Sequence, residues 1–425
     1  MNIGEGDIDS IEKRKNFTIG IIGSGRIYLL YACLFAQAGF KVVVTDLNQH
    51  ILTFLKKGEI PSLQAECNTL LERCIKNGLI TPASNVREVA SKSDVLLFLI
   101  HVAIAQNKKP NYSNVEKACR ETGMSLRSGS LVIVGSMMGL GITESLVQKT
   151  LENASGLKAG VDFGLAYSPA NIASRPLLDD LVRLPRIVSG INNRSLQIAY
   201  LILKTIINGE IVKMENMRTA EVVKLFEEVY QNVNIALANN LARFCEKVEI
   251  DFATIQRAMN IHSKSNMPSP RIAKGKSLKA SYLLLEEARL ADTKLPTLSL
   301  AIKVNDDMLR HVLHLVMDSL RACNKIVRRS KISVLGISSH PNVKDLREFP
   351  VTQFINIMKK KGMIIRVYDP FFSYNELLEM GYPAERTLKN AVEGADCLVF
   401  VTGHDQFKHL NLKKIKFLVK KPPAI

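Results

Sequence analysis

The 425-residue sequence predicts an α/β protein in three parts: an N-terminal domain built on a parallel sheet, a central helical segment and a smaller C-terminal α/β domain. Short apolar runs alternate with helical stretches as far as about residue 210, a pattern that indicates buried parallel strands with helices on both faces. Residues 217–248 then repeat apolar side chains at helical spacing without a glycine or proline, and apolar strands return after residue 330. We therefore place the domains at residues 1–210, 211–325 and 326–425.

The strands of the two sheets are expected where apolar residues form short runs between turns and helices. In the first domain these runs occupy residues 17–23, 41–46, 94–100 and 130–134, with further candidates near Leu165 and at 186–188. In the last domain they occupy residues 331–336, 363–368 and 397–402. Between them we expect the long helix, a basic stretch at 268–281 that breaks the helical pattern, and helices at 282–290 and 297–325.

The composition narrows the class of protein. Hydrophobic residues make up 47% and charged residues 23%, the balance of a globular chain, and no apolar run approaches the roughly 20 residues of a membrane helix. The N-terminus is charged rather than signal-like, and the seven cysteines include no C-x-x-C pair, which argues against a disulfide framework or a zinc site. We therefore expect a cytoplasmic protein with neither a membrane segment nor a metal site.

The net charge of +17 raises the question of an anionic partner. Nucleic acid is disfavoured because the basic residues are dispersed, tryptophan is absent and aromatic residues make up only 6%, which leaves little for base stacking. An anionic small molecule, or simply a basic surface, explains the charge better.

A phosphate-binding turn is predicted where the first strand meets the first helix. Residues 23–28 read G-S-G-R-I-Y, and Asp46 ends the next strand 21 residues after Gly25. In a Rossmann domain such glycines let backbone N–H groups approach a pyrophosphate, and the acidic residue binds the ribose hydroxyls. An aspartate at that position favours NAD over NADP. The candidate cofactor-binding residues are Gly23, Gly25, Arg26, Ile27 and Asp46.

Tyr28 replaces the third glycine of this fingerprint. That position needs a small side chain because the helix packs closely on the strand there. A phenol is therefore expected to swing out or to push the helix away. The alternative to NAD binding is a Rossmann domain that no longer binds a dinucleotide.

The long helix and the last domain resemble a known family. Residues 220–245 read A-E-V-V-K-L-F-E-E-V-Y-Q-N-V-N-I-A-L-A-N-N-L-A-R-F-C, and residues 334–350 read V-L-G-I-S-S-H-P-N-V-K-D-L-R-E-F-P. Residues 367–370 and 394–407 read V-Y-D-P and G-A-D-C-L-V-F-V-T-G-H-D-Q-F. These segments resemble the UDP-glucose/GDP-mannose dehydrogenase family, and within it the UDP-N-acetyl-D-mannosamine dehydrogenase branch. The resemblance extends over nearly the whole chain.

The resemblance implies a fold and a reaction. The family has an N-terminal Rossmann domain for NAD, a central helical segment that forms a dimer through its long helix, and a C-terminal Rossmann-like domain for the UDP-sugar. Its members oxidise the C6 alcohol of a nucleotide-sugar in two steps and pass two hydrides to NAD⁺. A cysteine thiolate catches the aldehyde, a lysine and an asparagine hold developing oxyanions, and a carboxylate positions the hydrolytic water.

Most of the catalytic residues that the resemblance implies are substituted in this sequence. Lys224 matches the family lysine, but Glu228 replaces the asparagine one helical turn later, and Ser277 replaces the cysteine. A serine hydroxyl is a much poorer nucleophile than a thiolate unless a base activates it. Glu228 is more simply explained as the i, i+4 partner of Lys224 than as a catalytic group.

Three further positions depart from the family pattern. Ser136-Met137 stands where the family has S-T, so Ser136 is kept as a cofactor-binding candidate while the next hydroxyl becomes a thioether. Ala170 replaces the glutamate that positions water, and Ser281 replaces an aspartate. Residues that act as a unit fail together when one of them is lost, so Lys224 cannot compensate for these losses alone.

The substrate-binding residues implied by the resemblance are Lys224, Asn234 and Arg347. Arg347 offers a planar fork for a phosphate or carboxylate, although a structural salt bridge to Asp345 explains it equally well. Cys245 on the long helix is interpreted as a small buried hydrophobe rather than as a substitute nucleophile.

Three functions are compatible with these residues. The first is an NAD-dependent nucleotide-sugar dehydrogenase, performing only the alcohol-to-aldehyde step because full four-electron oxidation needs the lost cysteine. The second is a catalytically inactive paralogue that binds a nucleotide-sugar or a partner subunit and regulates an active dehydrogenase. The third is a basic module for another anionic ligand. The family favours an enzyme, whereas the substituted residues leave its activity open.

Overall fold

The computed structural model describes most of the chain, namely residues 3–25, 27–57, 65–105, 107–170, 178–261, 266–273, 278–338, 341–342, 344, 351–422 and 424. The chain divides into two compact units. The first contains Met1–Val229 and Lys279–Lys294, and the second contains Tyr230–Leu278 and Leu295–Ile425. Within the described ranges, no helix combines the length and the apolar character needed to cross a bilayer.

An eight-stranded sheet forms the centre of the first unit. The strands of this unit are β1 (Thr18–Gly23), β2 (Lys41–Asp46), β3 (Ile80–Pro82), β4 (Val95–Leu99), β5 (Ala103–Ile104), β6 (Pro110–Asn111), β7 (Leu131–Val134), β8 (Gly164–Tyr167), β9 (Arg186–Gly190) and β10 (Ile211–Lys213). The sheet has the order β10-β9-β8-β7-β4-β1-β2-β3, while β5 and β6 pair separately. Its neighbouring strands are parallel except for β8 and β9. The parallel sheet expected from the sequence is confirmed.

Two hydrophobic cores cover the two faces of this sheet. Ile21 and Val44 point into one core, and their neighbours Ile22 and Val43 point into the other. Burial on both faces is what makes these strands continuously apolar in sequence. The helices of the unit are α1 (Ile11–Arg14), α2 (Ile27–Gln37), α3 (Gln49–Lys57), α4 (Ala65–Lys76), α5 (Val86–Lys92), α6 (Ser113–Gly123), α7 (Lys149–Ser155), α8 (Leu178–Arg183), α9 (Asn193–Lys204), the start of α10 (Met217–Lys247), and α12 (Lys279–Leu290); a π-helical segment, Thr143–Gln148, precedes α7.

The second unit contains a three-stranded parallel sheet. Its strands are β11 (Lys331–Leu335), β12 (Ile364–Tyr368) and β13 (Cys397–Phe400), in the order β12-β11-β13, at the positions that the sequence predicts. Besides the end of α10, its helices are α11 (Phe252–Ile261), α13 (Pro296–Ala322), α14 (Val351–Lys360), α15 (Tyr374–Glu379), α16 (Leu388–Val392), α17 (Asp405–Lys408) and α18 (Leu412–Leu418). The smaller second α/β domain is therefore confirmed.

The long helix is confirmed as α10, and its neighbours differ slightly from the expected bounds. Helix α12 begins at Lys279, inside the stretch that we expected to break the helical pattern. Helix α13 ends at Ala322, because Asn324 adopts a left-handed conformation with φ 55° and cannot continue the helix. In the second unit, Asn239 of α10 donates to Asn305 of α13 at 2.9 Å, a buried pair that joins the two helices.

Candidate active site

The turn after β1 is held in place by hydrogen bonds to the neighbouring strands. The Ser24 N–H donates to the Leu99 carbonyl at 3.2 Å, and the His101 N–H donates to Ser24 Oγ at 2.7 Å. Gly25 has a φ of +100°, which a residue with a Cβ rarely adopts, and α2 begins two residues later. The backbone of the predicted phosphate turn is therefore formed, with the helix N-terminus beside it. Arg26 lies outside the described residues.

Asp46 lies where a ribose acceptor is expected, at the carboxyl end of β2 and in register with Gly23. Its side chain is buried, and Asp46 Oδ1 accepts a 2.7 Å hydrogen bond from the Asn48 N–H. Burial raises the pKa of Asp46, while nearby donors, including Tyr28, oppose that shift. By type and position, this carboxyl fits a dinucleotide.

Of the two arrangements expected for Tyr28, a ring that swings out or a helix that is pushed away, the structure does not show the first. The ring is completely buried against β1, and an ideal Cβ on Gly23 would lie only 2.2 Å from Tyr28 Cγ. The phenol therefore occupies the space that a side chain at residue 23 would need. Burial, and next the adjacent Asp46 carboxylate, raise the pKa of Tyr28. The turn fits a dinucleotide, whereas a phenol beside the ribose acceptor does not.

Ser136 connects the end of β7 to the end of β4 through hydrogen bonds. Ser136 Oγ accepts a hydrogen bond from the Ile100 N–H at 2.8 Å and donates to the Phe98 carbonyl at 3.2 Å. The neighbouring Met137 packs against a small apolar cluster formed by Leu225, Ala280 and Leu283. The thioether that replaces a family hydroxyl thus contributes to packing in this unit.

Lys224 lies in a cluster of opposite charges on α10. Lys224 Nζ is 3.0 Å from a carboxylate oxygen of Glu227 and 3.0 Å from one of Glu228, and only 4% of the lysine side chain is exposed. The pairing of Glu228 with Lys224 is the one that the i, i+4 spacing predicts. Burial lowers the pKa of Lys279, at the start of α12, to about 8, and Glu228 opposes this shift. The buried ammonium group of Lys224 is thus neutralised by the carboxylates of Glu227 and Glu228.

Glu221 is a buried carboxyl on the same helix as Lys224, and the sequence analysis did not single it out. It is fully buried, and its carboxylate accepts hydrogen bonds from the backbone N–H groups of Gly141 at 2.5 Å and Thr143 at 2.8 Å. Burial raises the pKa of this carboxyl to about 7. The sequence did carry a signal for this residue, namely a glutamate at a helix position that faces the core. Glu221 lies four residues before buried Leu225 and hence on the apolar face of α10. Glu221 ties the loop after β7 to the helix that carries Lys224.

The structure brings together only some of the predicted residues. Gly23, Gly25, Ile27 and Asp46 surround the phosphate turn of the first unit, while Ser277 and Arg347 lie outside the described residues. Asn234 is a half-buried residue in the part of α10 that belongs to the second unit.

Two of the remaining positions are buried. Ala170, where the family has a glutamate, belongs to a hydrophobic core of the first unit, and Cys245 is buried as expected. Across the described ranges, no three histidine, cysteine or acidic side chains are placed to share a metal ion.

The buried carboxyl of Glu221 predicts a pH-dependent stability. Since its pKa in the folded protein is raised from 4.5 to about 7, its stabilising contribution is complete below about pH 4.5 and is lost as the pH rises through 7. The full difference is about 3 kcal/mol. We expect urea unfolding between these pH values to show this loss in the wild type but not in Glu221→Gln. Glu116→Gln, at an exposed glutamate on α6, is the control; parallel pH profiles for the wild type and Glu221→Gln would contradict the assignment.

Three family models match the chain in order along its length. They describe the UDP-glucose/GDP-mannose dehydrogenase family: its NAD binding domain matches residues 17–207, its central domain 218–307 and its UDP binding domain 333–425. The matched segments together span most of the sequence.

Individual relatives agree with these models. The chain is 27% identical over 420 residues to the UDP-N-acetyl-D-mannosamine dehydrogenase of Pyrococcus horikoshii, covering 96% of this chain and 97% of the relative. A solved structure of the UDP-D-ManNAc dehydrogenase from the same organism has a TM-score of 0.86 at 26% identity, covering 96% and 97% of the two chains. A UDP-glucose dehydrogenase structure from Pyrobaculum islandicum, with a TM-score of 0.85 at 19% identity and coverage of 97% and 94%, has the same fold. The chain thus belongs to the UDP-glucose/GDP-mannose dehydrogenase family, with an N-terminal NAD-binding domain, a central helical segment and a C-terminal UDP-binding domain.

Proposed function

We propose that the protein is a cytoplasmic nucleotide-sugar dehydrogenase that uses NAD and a UDP-sugar resembling UDP-N-acetylmannosamine, and that it stops after a single two-electron oxidation. The observation that supports this most is the position of Lys224 Nζ between the carboxylates of Glu227 and Glu228, each 3.0 Å away. A lysine and a neutral asparagine would present donors to an oxyanion, whereas this cluster adds an acceptor and a negative charge.

The charge cluster favours a neutral alcohol over an anionic intermediate. A sugar hydroxyl can accept a hydrogen bond from the Lys224 ammonium and donate one to Glu228, so both of its polar functions find partners. An oxyanion about 4 Å from the Glu228 carboxylate is repelled by about 1 kcal/mol in water and about 4 kcal/mol at an effective dielectric constant of about 20. The anionic intermediates of the second oxidation are therefore disfavoured.

The remaining substitutions act in the same direction. Ser277 supplies a hydroxyl where a thioester needs a thiolate, and no thioester can form on oxygen. Ala170 is buried in an apolar core and has no carboxylate with which to position a hydrolytic water. Capture and hydrolysis of an aldehyde thus lack their chemical groups, whereas an alcohol-to-aldehyde step needs only a hydride acceptor, which NAD⁺ supplies, and a base for the hydroxyl proton, for which the Glu228 carboxylate is the group at hand.

NAD, when bound, supplies the hydride acceptor for that step. The backbone N–H groups after Gly23 and Gly25, at the start of α2, are the groups of this chain that would face its pyrophosphate. Asp46 is the residue that would accept hydrogen bonds from its ribose. Because the family resemblance implies it, Asn234 and Arg347 are proposed to contact the nucleotide-sugar.

A second candidate is an inactive subunit that regulates an active dehydrogenase, and it depends on a subunit interface of the kind that the surface of α10 offers. Apolar side chains at helical spacing are exposed along this helix: Val223 by 38%, Phe226 by 55%, Tyr230 by 71%, Leu237 by 48% and Phe244 by 61%. A stripe of this kind indicates a helix face that packs against another protein. Its occupant is proposed to be a second copy of this chain, as the family resemblance implies, with an active paralogue as the variant of this candidate.

The yield of NADH distinguishes the proposed activity from the family reaction. With limiting UDP-N-acetylmannosamine or UDP-glucose and excess NAD⁺, we expect at most one NADH per sugar and an aldehyde that a hydrazide reagent traps. Ser277→Cys alone is expected to leave this ratio unchanged, because Glu228 and Ala170 remain. Two NADH per sugar in the wild type would overturn the proposal. A folded dimer that makes no NADH with any sugar would favour the regulatory subunit.

The apolar stripe on α10 predicts a dimer that charge disrupts. Placing carboxylates there with Phe226→Glu and Phe244→Glu should weaken self-association at least a hundredfold, because a charge buried in an apolar interface remains unpaired. Sedimentation velocity of the full chain over a concentration series measures this. Phe417→Glu, at a phenylalanine on α18 that is 80% exposed, is the matched control and should leave the dimer intact. A monomeric wild type, or a variant as dimeric as the wild type, would refute the interface.

A further inference from the structure

Two buried polar side chains meet at the phosphate turn of the first unit. Tyr28 is completely buried and packs on Gly23, and Asp46, which is 2% exposed, is in register with Gly23 on the neighbouring strand. Neither Tyr28 Oη nor Asp46 Oδ2 has a hydrogen bond of normal geometry to any residue that the structure describes. Buried polar atoms are nearly always paired in native proteins, so this contact calls for an explanation.

The position of the phenol is set by packing on the first glycine of the turn. Tyr28 is the second residue of α2, and an ideal Cβ at residue 23 would lie 2.2 Å from Tyr28 Cγ and 2.3 Å from Tyr28 Cδ1. The ring therefore lies directly on the Gly23 backbone, with β1 on one side and α2 on the other. Asp46 at the end of β2 is in register with Gly23, so the ring and the carboxyl lie at neighbouring strand ends.

The two oxygens of Asp46 are used differently. Asp46 Oδ1 accepts the hydrogen bond from the Asn48 N–H at 2.7 Å, which leaves Oδ2 as the oxygen available to a ribose hydroxyl. The Tyr28 hydroxyl is the proton donor beside this carboxylate, and burial keeps the phenol protonated by raising its pKa. A phenol O–H and a ribose O–H have the same hydrogen-bonding chemistry toward a carboxylate. The chain thus supplies its own substitute for the ribose.

We propose that the Tyr28 hydroxyl occupies the ribose subsite of the NAD-binding domain and acts as an internal competitor that keeps the affinity for adenine dinucleotides low. This inference rests on the proposed use of NAD and adds a residue that sets the affinity for it. Before Asp46 can accept a hydrogen bond from the ribose of a dinucleotide, the phenol has to be displaced. The binding-competent state is then only a fraction of the population, and the apparent affinity falls by that fraction.

Calorimetric titration of the full chain with NAD⁺ tests the competition. Tyr28→Ala, which removes the ring, should bind NAD⁺ at least tenfold more tightly than the wild type. Tyr28→Phe keeps the packing and removes only the hydroxyl, so it should fold normally and bind at least threefold more tightly. Tyr31→Phe removes a hydroxyl from another buried tyrosine of α2 and is the matched control, with no expected change.

A second ligand tests the subsite itself. An NAD⁺ analogue lacking the 2′-hydroxyl of the adenosine ribose should bind the wild type about as well as NAD⁺ does, because in the proposed arrangement the phenol keeps a ribose hydroxyl from Asp46. Tyr28→Ala should instead prefer NAD⁺ several-fold, and adding Asp46→Asn should abolish that preference. Equal NAD⁺ affinity of the wild type, Tyr28→Phe and any folded Tyr28→Ala would overturn the inference, as would a wild type that already prefers NAD⁺ over the analogue.

The outcomes separate this inference from the proposed function. If the wild type makes NADH but the Tyr28 variants bind NAD⁺ no better than it does, the competition is refuted and the dehydrogenase proposal stands. If the Tyr28 variants bind NAD⁺ more tightly but no sugar is oxidised, the competition stands and the dehydrogenase proposal fails. Circular dichroism of each variant establishes that it is folded.

Discussion

The packing of the Tyr28 ring on Gly23 is the contact on which the NAD-binding domain depends. Any side chain at residue 23 would place its Cβ 2.2 Å from the ring, so glycine is needed here for close packing as well as for the turn. Through this contact α2 lies on β1 with a phenol between them, and the phenol sets the surroundings of Asp46. A tyrosine at residue 28 thus couples the packing of α2 on β1 to the surroundings of Asp46.

Buried charges on α10 govern the chemistry of the first unit in a related way. Glu221 and Lys224 lie on the inner face of the helix, and both have to be neutralised or hydrogen-bonded to be tolerated there. Glu221 obtains two backbone N–H donors, and Lys224 obtains two carboxylates. The arrangement that makes the lysine acceptable in the fold also diminishes it as a donor to an oxyanion. In the proposed reaction, stability and catalysis would therefore make opposite demands on Lys224.

Family membership and activity are carried by different residues in this protein. The family models follow the chain through all three domains, and the apolar strands, the helices and the glycine turn preserve that architecture. The chemical groups that the resemblance implies for the family reaction are few, and this sequence has other residues at several of the positions where it would place them. Function has to be argued from such groups rather than from the fold that presents them.

Most of the longer elements could be predicted from the sequence. The longer β-strands, the long helix and the second α/β domain follow from local periodicity and from the absence of glycine and proline in α10, and the Lys224–Glu228 pair follows from helical spacing. The short strands β3, β5, β6 and β10 carry too few residues for such a pattern. The direction of the Tyr28 phenol could not be predicted either, because it depends on whether Gly23 and the end of β2 leave space for a ring. The same holds for Glu221, since its donors come from a loop about 80 residues earlier in the chain, a separation that no local pattern can bridge.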